Sequence, residues 1–256
     1  SPYMEWAKTS STAPFNFASS GLTNVPMAEF PFRLEELEIT GGGYGYPPLL
    51  ERIARHTGAP VECIVTAEGT SMANHLAMAA LLEPGDEVVI ELPTYGLLLD
   101  LARYLGARVK RVARKFENNF EISLPQMEQA ITPATRLVVL TNLQNPTGAL
   151  ISAETLRVIG ELARGVGASV LVDEVYLEML FERAPWTCGS MSLRRHELPL
   201  VQDGAFSLGE NFIVTSSLTK AYGLSGLRCG WILAAPDLAH RIWRLNDLFA
   251  ATAAHP

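Results

Sequence analysis

A lysine and an arginine eight residues apart, Lys220 and Arg228, follow the short apolar run Phe212–Thr215. Lysine side chains are usually solvated at protein surfaces. Lys220, however, comes directly after a predicted buried strand and before a glycine-rich stretch. Burial lowers the pKa of an amine and makes it a nucleophile toward carbonyl groups. Lys220 is therefore a candidate for covalent chemistry.

An acidic residue follows another apolar run, in Asp173-Glu174-Val175-Tyr176. An acid at the end of a strand can cap the next helix, or it can be a buried carboxylate. Burial of an unpaired charge is costly, so the second interpretation requires a cationic partner for Asp173. The local sequence leaves both interpretations open.

Two glycine-containing turns complete the set of candidate motifs. The first, Glu68-Gly69-Thr70-Ser71, precedes an apolar helical pattern, and the free N–H groups at such a helix start suit a phosphate. The alternative is that Thr70 or Ser71 is a simple helix cap. The second, Asn145-Pro146-Thr147-Gly148, indicates by itself only a turn.

The elements that would position these motifs alternate from about Ile64 onward between short apolar runs and longer helical patterns, which predicts an α/β fold with a mostly parallel sheet. Ligands of such sheets bind beyond the carboxyl ends of the strands, where the motifs lie. The predicted strands are Glu87–Glu91, Arg108–Val112, Leu137–Thr141, Ser169–Val172 and Phe212–Thr215. The predicted helices are Ser71–Leu82, Tyr95–Gly106, Leu124–Ile131, Ala153–Arg164 and Asp237–Ala250.

The composition of the 256 residues, 48% hydrophobic with a net charge of −7, is that of a globular enzyme with a small-molecule partner. No basic cluster predicts binding to nucleic acid or to a membrane surface. Three separated cysteines predict neither disulfides nor a metal site, and a reducing cytoplasm fits them. We also expect no secretion signal and no membrane span, because no apolar run reaches about 18 residues.

The domain organisation divides the chain in two. Residues 1–40 form an N-terminal arm, of which Ser1–Phe32 is predicted to be extended and to pack on another subunit. Residues 41–256 form one large domain, since no linker signal interrupts Ile64–Ala235.

The order of the motifs, from about Gly45 to Trp231, resembles the class I/II aminotransferases, which are fold-type I enzymes that use pyridoxal 5′-phosphate (PLP). The resemblance is to the large domain of aspartate aminotransferase-like members. It implies a three-layer α/β/α fold, PLP as cofactor and a homodimer.

The resemblance also implies roles for the residues that handle the reacting end of PLP. Lys220 corresponds to the Schiff-base lysine, which also moves a proton between the substrate Cα and the cofactor. Asp173 would pair with the pyridine nitrogen and deepen the electron sink. Asn145 and Tyr176 would hydrogen-bond the phenolic oxygen. Together Lys220, Asp173 and Tyr176 form the expected catalytic set.

The remaining roles concern the ring face and the phosphate. Tyr95 would stack on the pyridine ring. Tyr95 and Tyr176 could instead be ordinary buried aromatics. The expected phosphate ligands are the N–H groups of Thr70 and Ser71, the hydroxyls of Thr70 and Ser217, and the planar guanidinium of Arg228. Gly69, which begins this loop, is also expected to contact the cofactor.

The sequence departs from the family pattern at two places. Thr40 stands where the family has a tyrosine that reaches the neighbouring subunit's phosphate, and Tyr44 or Tyr46 are the alternatives. Toward Pro256 no residue matches the arginine that grips the substrate carboxylate in the family's C-terminal small domain, which we expect to be absent. Arg33 is the alternative for that contact.

The function implied is transfer of an amino group between an amino acid and a 2-oxo acid. Two other reactions on the same fold, β-elimination by a C–S lyase and a cyclising synthase reaction, remain open because the cofactor's chemistry is common to them. A non-catalytic PLP-sensing domain is the third alternative. It would need a basic helix-turn-helix segment upstream, and residues 1–40 contain none.

Overall fold

The strands of the protein form one seven-stranded sheet in the computed structural model, which describes residues 2–10, 14–15, 20–30, 33, 43–180 and 204–249. Most of their apolar residues are buried, as expected for strands covered on both faces, whereas Leu92 at the end of β2 is exposed and strand β3 at the sheet edge is mostly only partly buried. The strands are β1 Ile64–Glu68, β2 Glu87–Leu92, β3 Arg108–Ala113, β4 Thr135–Thr141, β5 Ser169–Asp173, β6 Phe212–Ser217 and β7 Cys229–Leu233.

The strand order is β1-β7-β6-β5-β4-β2-β3. Neighbouring strands pair in parallel except at β7, which is antiparallel to both β1 and β6. The α/β fold with a mostly parallel sheet is therefore confirmed, and all five predicted strands exist. The prediction omitted β1 and β7. The register pairs Asp173 of β5 with Thr215 of β6, so two strand ends with polar residues lie side by side.

Helices flank the sheet in a three-layer arrangement. Helix α3 packs on β1, β5, β6 and β7 and contacts α4 and α7, whereas α5 and α6 contact each other and strands β3 to β5. The five predicted helices exist with slightly different ends, and the one predicted to reach Ala250 ends at Asn246. The helices are α1 Pro2–Thr9, α2 Pro47–Thr57, α3 Gly69–Ala79, α4 Gly96–Tyr104, α5 Leu124–Ala130, α6 Ala153–Gly165 and α7 Pro236–Asn246.

The N-terminal segment differs from the prediction. Pro2–Thr9 is a helix, so the expectation of an extended arm is wrong there. A proline begins the helix, where its missing N–H costs nothing, and Glu5 and Lys8 lie at the ends that suit their charges. None of the helices within the described residues is long and apolar enough to cross a membrane. Cys63 and Cys229 are free and buried, and Cys188 lies outside the described residues.

Helix α6 shows how the sequence defines a helix start. The hydroxyl of Ser152 accepts a hydrogen bond from the N–H of Thr155 at 3.1 Å, and apolar residues at helical spacing face the sheet. Replacing Ser152 with alanine removes this cap and is expected to lower the free energy of unfolding by about 1 kcal/mol. Chemical denaturation measures the change. Ser123 is the control, because it precedes α5 without a capping hydrogen bond, so Ser123→Ala should have a clearly smaller effect.

Candidate active site

A cavity of about 690 Å³ lies at the edge of the sheet where the parallel strands end. Parallel strands present their carboxyl ends at one edge, so residues distant in sequence meet there. Eight of the ten predicted site residues line this cavity: Thr70, Ser71, Tyr95, Asn145, Asp173, Tyr176, Lys220 and Arg228. The other two, Gly69 and Ser217, lie at the start of α3 and at the end of β6.

The carboxylate of Asp173 is buried beside the cavity at the end of β5. Its Oδ2 accepts a hydrogen bond from Asn74 Nδ2 at 2.8 Å, and its Oδ1 accepts one from the N–H of Val175 at 3.1 Å. Among the described residues no cationic side chain forms an ion pair with it. Burial raises the pKa of Asp173 to about 6. The site therefore holds a buried carboxylate that forms no ion pair with a described residue, although the charge of Lys220 acts on it from a distance.

The amine of Lys220 faces the same cavity. Its Nζ donates a hydrogen bond to Ser20 Oγ at 2.7 Å and lies 5.8 Å from the centroid of the Tyr176 ring. Burial lowers the pKa of Lys220 below the usual value for lysine. A larger fraction of the amine is then neutral at a given pH, which is the state that attacks a carbonyl.

The start of α3 forms a cradle with two later segments of the chain. Gly69 has a φ of 77°, and a Cβ added there would lie 2.5 Å from Nη2 of Arg228. Thr70 Oγ1 donates to Ser217 Oγ at 2.7 Å, and Arg228 Nη2 donates to the carbonyl of Glu68 at 3.2 Å. Free N–H groups at a helix start, two hydroxyls and a guanidinium make a site for a phosphate.

Aromatic and amide side chains form the remaining predicted wall. The hydroxyl of Tyr95 donates to the sulfur of Met4 at 3.2 Å, and its ring meets the ring of Tyr3 edge to face at 5.9 Å. Burial raises the pKa of Tyr95 to about 12, so it stays a neutral phenol. The side chain of Asn145 lines the cavity, and its own N–H donates to Thr141 Oγ1 at 2.8 Å.

A buried ion pair lies behind this wall. Arg114 Nη1 and Glu91 Oε2 are 2.8 Å apart, and each side chain is 1% exposed. Glu91 Oε1 accepts hydrogen bonds from the N–H of Thr141 at 2.8 Å and from its hydroxyl at 2.7 Å. Because Thr141 in turn holds the main chain of Asn145, the ion pair helps to fix that residue.

Several residues of the site were not foreseen. Tyr3, Met4, Ala7 and Lys8 of α1 and Ser20 line the cavity, as do Asn74 and Thr141. A signal for Asn74 was present in the sequence, because it is a polar residue on the face of α3 that buries Ala73, Ala77 and Met78. The contacts of α1 and of Thr141 had no comparable signal.

The alternatives named for the family's missing contacts do not line the cavity. Tyr44 donates to Asp247 Oδ2 at 2.9 Å and stacks on Trp243 with ring centroids 5.4 Å apart. Tyr46 and Arg33 are not among the lining residues. Thr40 lies outside the described residues.

Comparison with known proteins gives the affiliation of this site. The profile of the family described as "Aminotransferase class I and II" matches residues 33–255. The chain belongs to this family. Within the family, an aspartate aminotransferase from Streptomyces avermitilis is 30% identical over 200 residues, which are 76% of this chain and 46% of that protein. A capreomycidine synthase from Streptomyces vinaceus is 32% identical over 194 residues, which are 76% and 46%.

A solved structure supports the same assignment. A PLP-dependent aminotransferase from Streptococcus suis has a TM-score of 0.77 and 28% identity, over 96% of this chain and 64% of that one. The chain spans about half the length of the curated class I and II relatives it matches.

Proposed function

We propose that the protein is a PLP-dependent aminotransferase that moves an amino group between an amino acid and a 2-oxo acid. The observation that carries the proposal is the meeting of three unlike groups at one sheet edge: an amine, a buried carboxylate that forms no ion pair with a described residue, and a cradle suited to an anion. Family membership and relatives named as aminotransferases support it. The homodimer, the cytoplasmic location and the domain boundary at residue 40 remain predictions.

The residues present fit PLP at each of its functional groups. Lys220 would hold the aldehyde carbon, and the cradle at the start of α3 with Arg228 would hold the phosphate. Asp173 is the most specific feature, because a buried carboxylate without an ion-pair partner among the described residues is costly and a protonated ring nitrogen would supply that partner. Tyr95 would cover one ring face, and Asn145 with Tyr176 would reach the phenolic oxygen.

The chemistry of the site follows from these groups. When bound, PLP supplies an electron-accepting ring that stabilises negative charge at the substrate Cα. Lys220 would accept the proton from the substrate Cα and return it to the C4′ carbon of the cofactor, which requires an amine that is neutral for part of the time. The lowered pKa of Lys220 meets that requirement. Asp173 would keep a positive charge on the ring nitrogen.

Replacing Gly69 with alanine tests the phosphate cradle. The new methyl group would displace the Arg228 guanidinium, so we expect PLP affinity to fall by about tenfold to a hundredfold, the value of one charge-assisted contact. Fluorescence titration with PLP measures it. Gly58 is a matched control, since it has a similar φ of 72° but open space around it. Gly58→Ala should strain the backbone and leave PLP affinity unchanged; equal losses in both variants would contradict the cradle.

The reaction type is tested by single-turnover spectroscopy with a panel of amino acids. Conversion of the bound cofactor to its amine form, with release of the matching 2-oxo acid, is the expected result. Release of pyruvate and ammonia would instead indicate elimination. A cyclised product would indicate the cyclising synthase reaction, and one relative is named as a synthase. Binding of PLP without any turnover would favour a sensing domain.

A further inference from the structure

Asn74 occupies a buried position between two strands' polar ends. It lies in the second turn of α3, is 1% exposed, and uses both ends of its amide group. Nδ2 donates to Asp173 Oδ2 at 2.8 Å, and Oδ1 accepts from the hydroxyl of Thr215 at 2.6 Å. Thr215 is fully buried on β6, beside Asp173 in the register of the sheet.

The hydroxyl of Thr215 determines which way the amide points. If the amide were rotated by 180°, its oxygen would face the carboxylate of Asp173, and two acceptors would meet without a proton while that carboxylate is ionised. In the observed orientation Nδ2 of Asn74 faces an acceptor, the carboxylate of Asp173, and Oδ1 faces a donor, the hydroxyl of Thr215. The hydrogen bonds are therefore donated in one direction, from Thr215 to Asn74 and from Asn74 to Asp173.

This arrangement limits how the carboxylate of Asp173 can turn. Each of its oxygens is held by one donor from the chain, Oδ2 by Asn74 and Oδ1 by the N–H of Val175. The two donors come from different elements, so rotation of the carboxylate breaks at least one hydrogen bond. Without Asn74, only the neighbouring main-chain contact would remain to hold it.

We infer that Asn74 is a positioning residue, held by Thr215, that orients the carboxylate of Asp173 and favours its ionised form. The inference rests on the proposed function, because the orientation of Asp173 matters for catalysis only if the ring nitrogen of PLP binds there. A purely structural role for Asn74 would fill space and satisfy buried polar atoms. It would not set the ionisation of a particular carboxyl group.

The charges around Asp173 define the conditions of the test. Lys220 lowers its pKa, and the adjacent Glu174, whose own pKa is raised to about 7 by burial, repels it. The phenols of Tyr95 and Tyr176 also face it, with their pKa values raised by burial. The measurements are made in a Glu174→Gln background, which removes a neighbouring carboxyl group with a pKa close to that of Asp173.

The experiment measures the pKa of Asp173 in the protein without cofactor, by NMR of carboxyl-labelled aspartate. The chain has six aspartates, and the signal of Asp173 is the one lost in Asp173→Asn. The variant Asn74→Leu keeps similar volume and removes the donor, so the pKa should rise by about one pH unit. Asn74→Asp places a like charge there and should raise it further.

A second pair of variants tests whether the hydroxyl of Thr215 acts on Asp173 through Asn74. This pair also provides the test if Asn74→Leu does not fold. Thr215→Val removes the hydroxyl that orients the amide and should also raise the pKa of Asp173, whereas Thr215→Ser keeps the hydroxyl and should leave it unchanged. An unchanged pKa in Thr215→Val, together with an unchanged pKa in any folded Asn74 variant, would overturn the inference. If the pKa moves as expected but the wild-type protein fails to bind PLP, the proposed function fails and the positioning of the carboxylate stands.

Discussion

Replacing Lys220 with alanine is expected to abolish both the visible absorbance of bound PLP and turnover. The variant would lose the proposed covalent bond to the cofactor and the group proposed to move the substrate proton, so the rate should fall by at least about a thousandfold. Absorbance spectra with added PLP, borohydride reduction and peptide mapping together show which amine is modified.

Lys8 is the matched control for this experiment, because it lines the same cavity from helix α1. The chain has only four lysines, Lys8, Lys110, Lys115 and Lys220, so each can be replaced in turn. Lys8→Ala should keep the absorbance band. If a reducible imine persists in Lys220→Ala, or disappears in Lys8→Ala, the assignment of the covalent bond to Lys220 is wrong.

Replacing Asp173 with alanine is expected to slow proton removal from the substrate far more than it weakens PLP binding. The cradle and Lys220 are untouched, so most of the contacts to the cofactor remain. The substitution would remove the proposed partner of the ring nitrogen, so the barrier to proton removal should rise. A deuterium-labelled Cα makes the step visible as an isotope effect in single-turnover kinetics.

The size of the rate loss in Asp173→Ala decides whether Asp173 is the partner of the ring nitrogen. A loss below tenfold, which is about 1.4 kcal/mol of barrier, would not fit a partner for the ring nitrogen. Glu174→Gln is the control, because Glu174 is also a buried carboxyl but accepts its hydrogen bond from the N–H of Ala205 at 2.8 Å and does not line the cavity. Its replacement should leave the rate within a few-fold.

The fold could be predicted to the extent that it depends on local apolar patterns. Five strands and five helices follow from runs of Val, Ile and Leu and from helical spacing. Strand β7 was missed because Gly230 lies in its interior, and glycine is depleted in strands. Its antiparallel direction depends on pairing with β1, more than 150 residues earlier in the sequence, and no local pattern encodes that.

The site residues also fall into two groups, those that the sequence predicts and those that only packing brings together. Groups at the ends of strands could be found from the sequence, since each motif is local and a parallel sheet brings the ends together. Asn74 lies 99 residues from Asp173, and Glu91 lies 23 residues from Arg114, so their contacts arise only from packing. Helix α1 adds a wall from the other end of the chain, which the composition of the arm did not indicate.

The reversal of direction at β7 makes the connection from β6 a short loop, residues 218–228, whose two ends lie on neighbouring strands. The N–H of Leu218 donates to the carbonyl of Cys229 at 3.0 Å and closes the loop at its base. Lys220 and Arg228 both lie on it, so under the proposed function the distance between the amine that would hold the aldehyde and the guanidinium that would hold the phosphate is set within one segment of the chain. If PLP binds as proposed, the loop would make binding sensitive to ligand length: an analogue with one more methylene between ring and phosphate would carry every matching group, but it would not fit Lys220 and Arg228 at the same time.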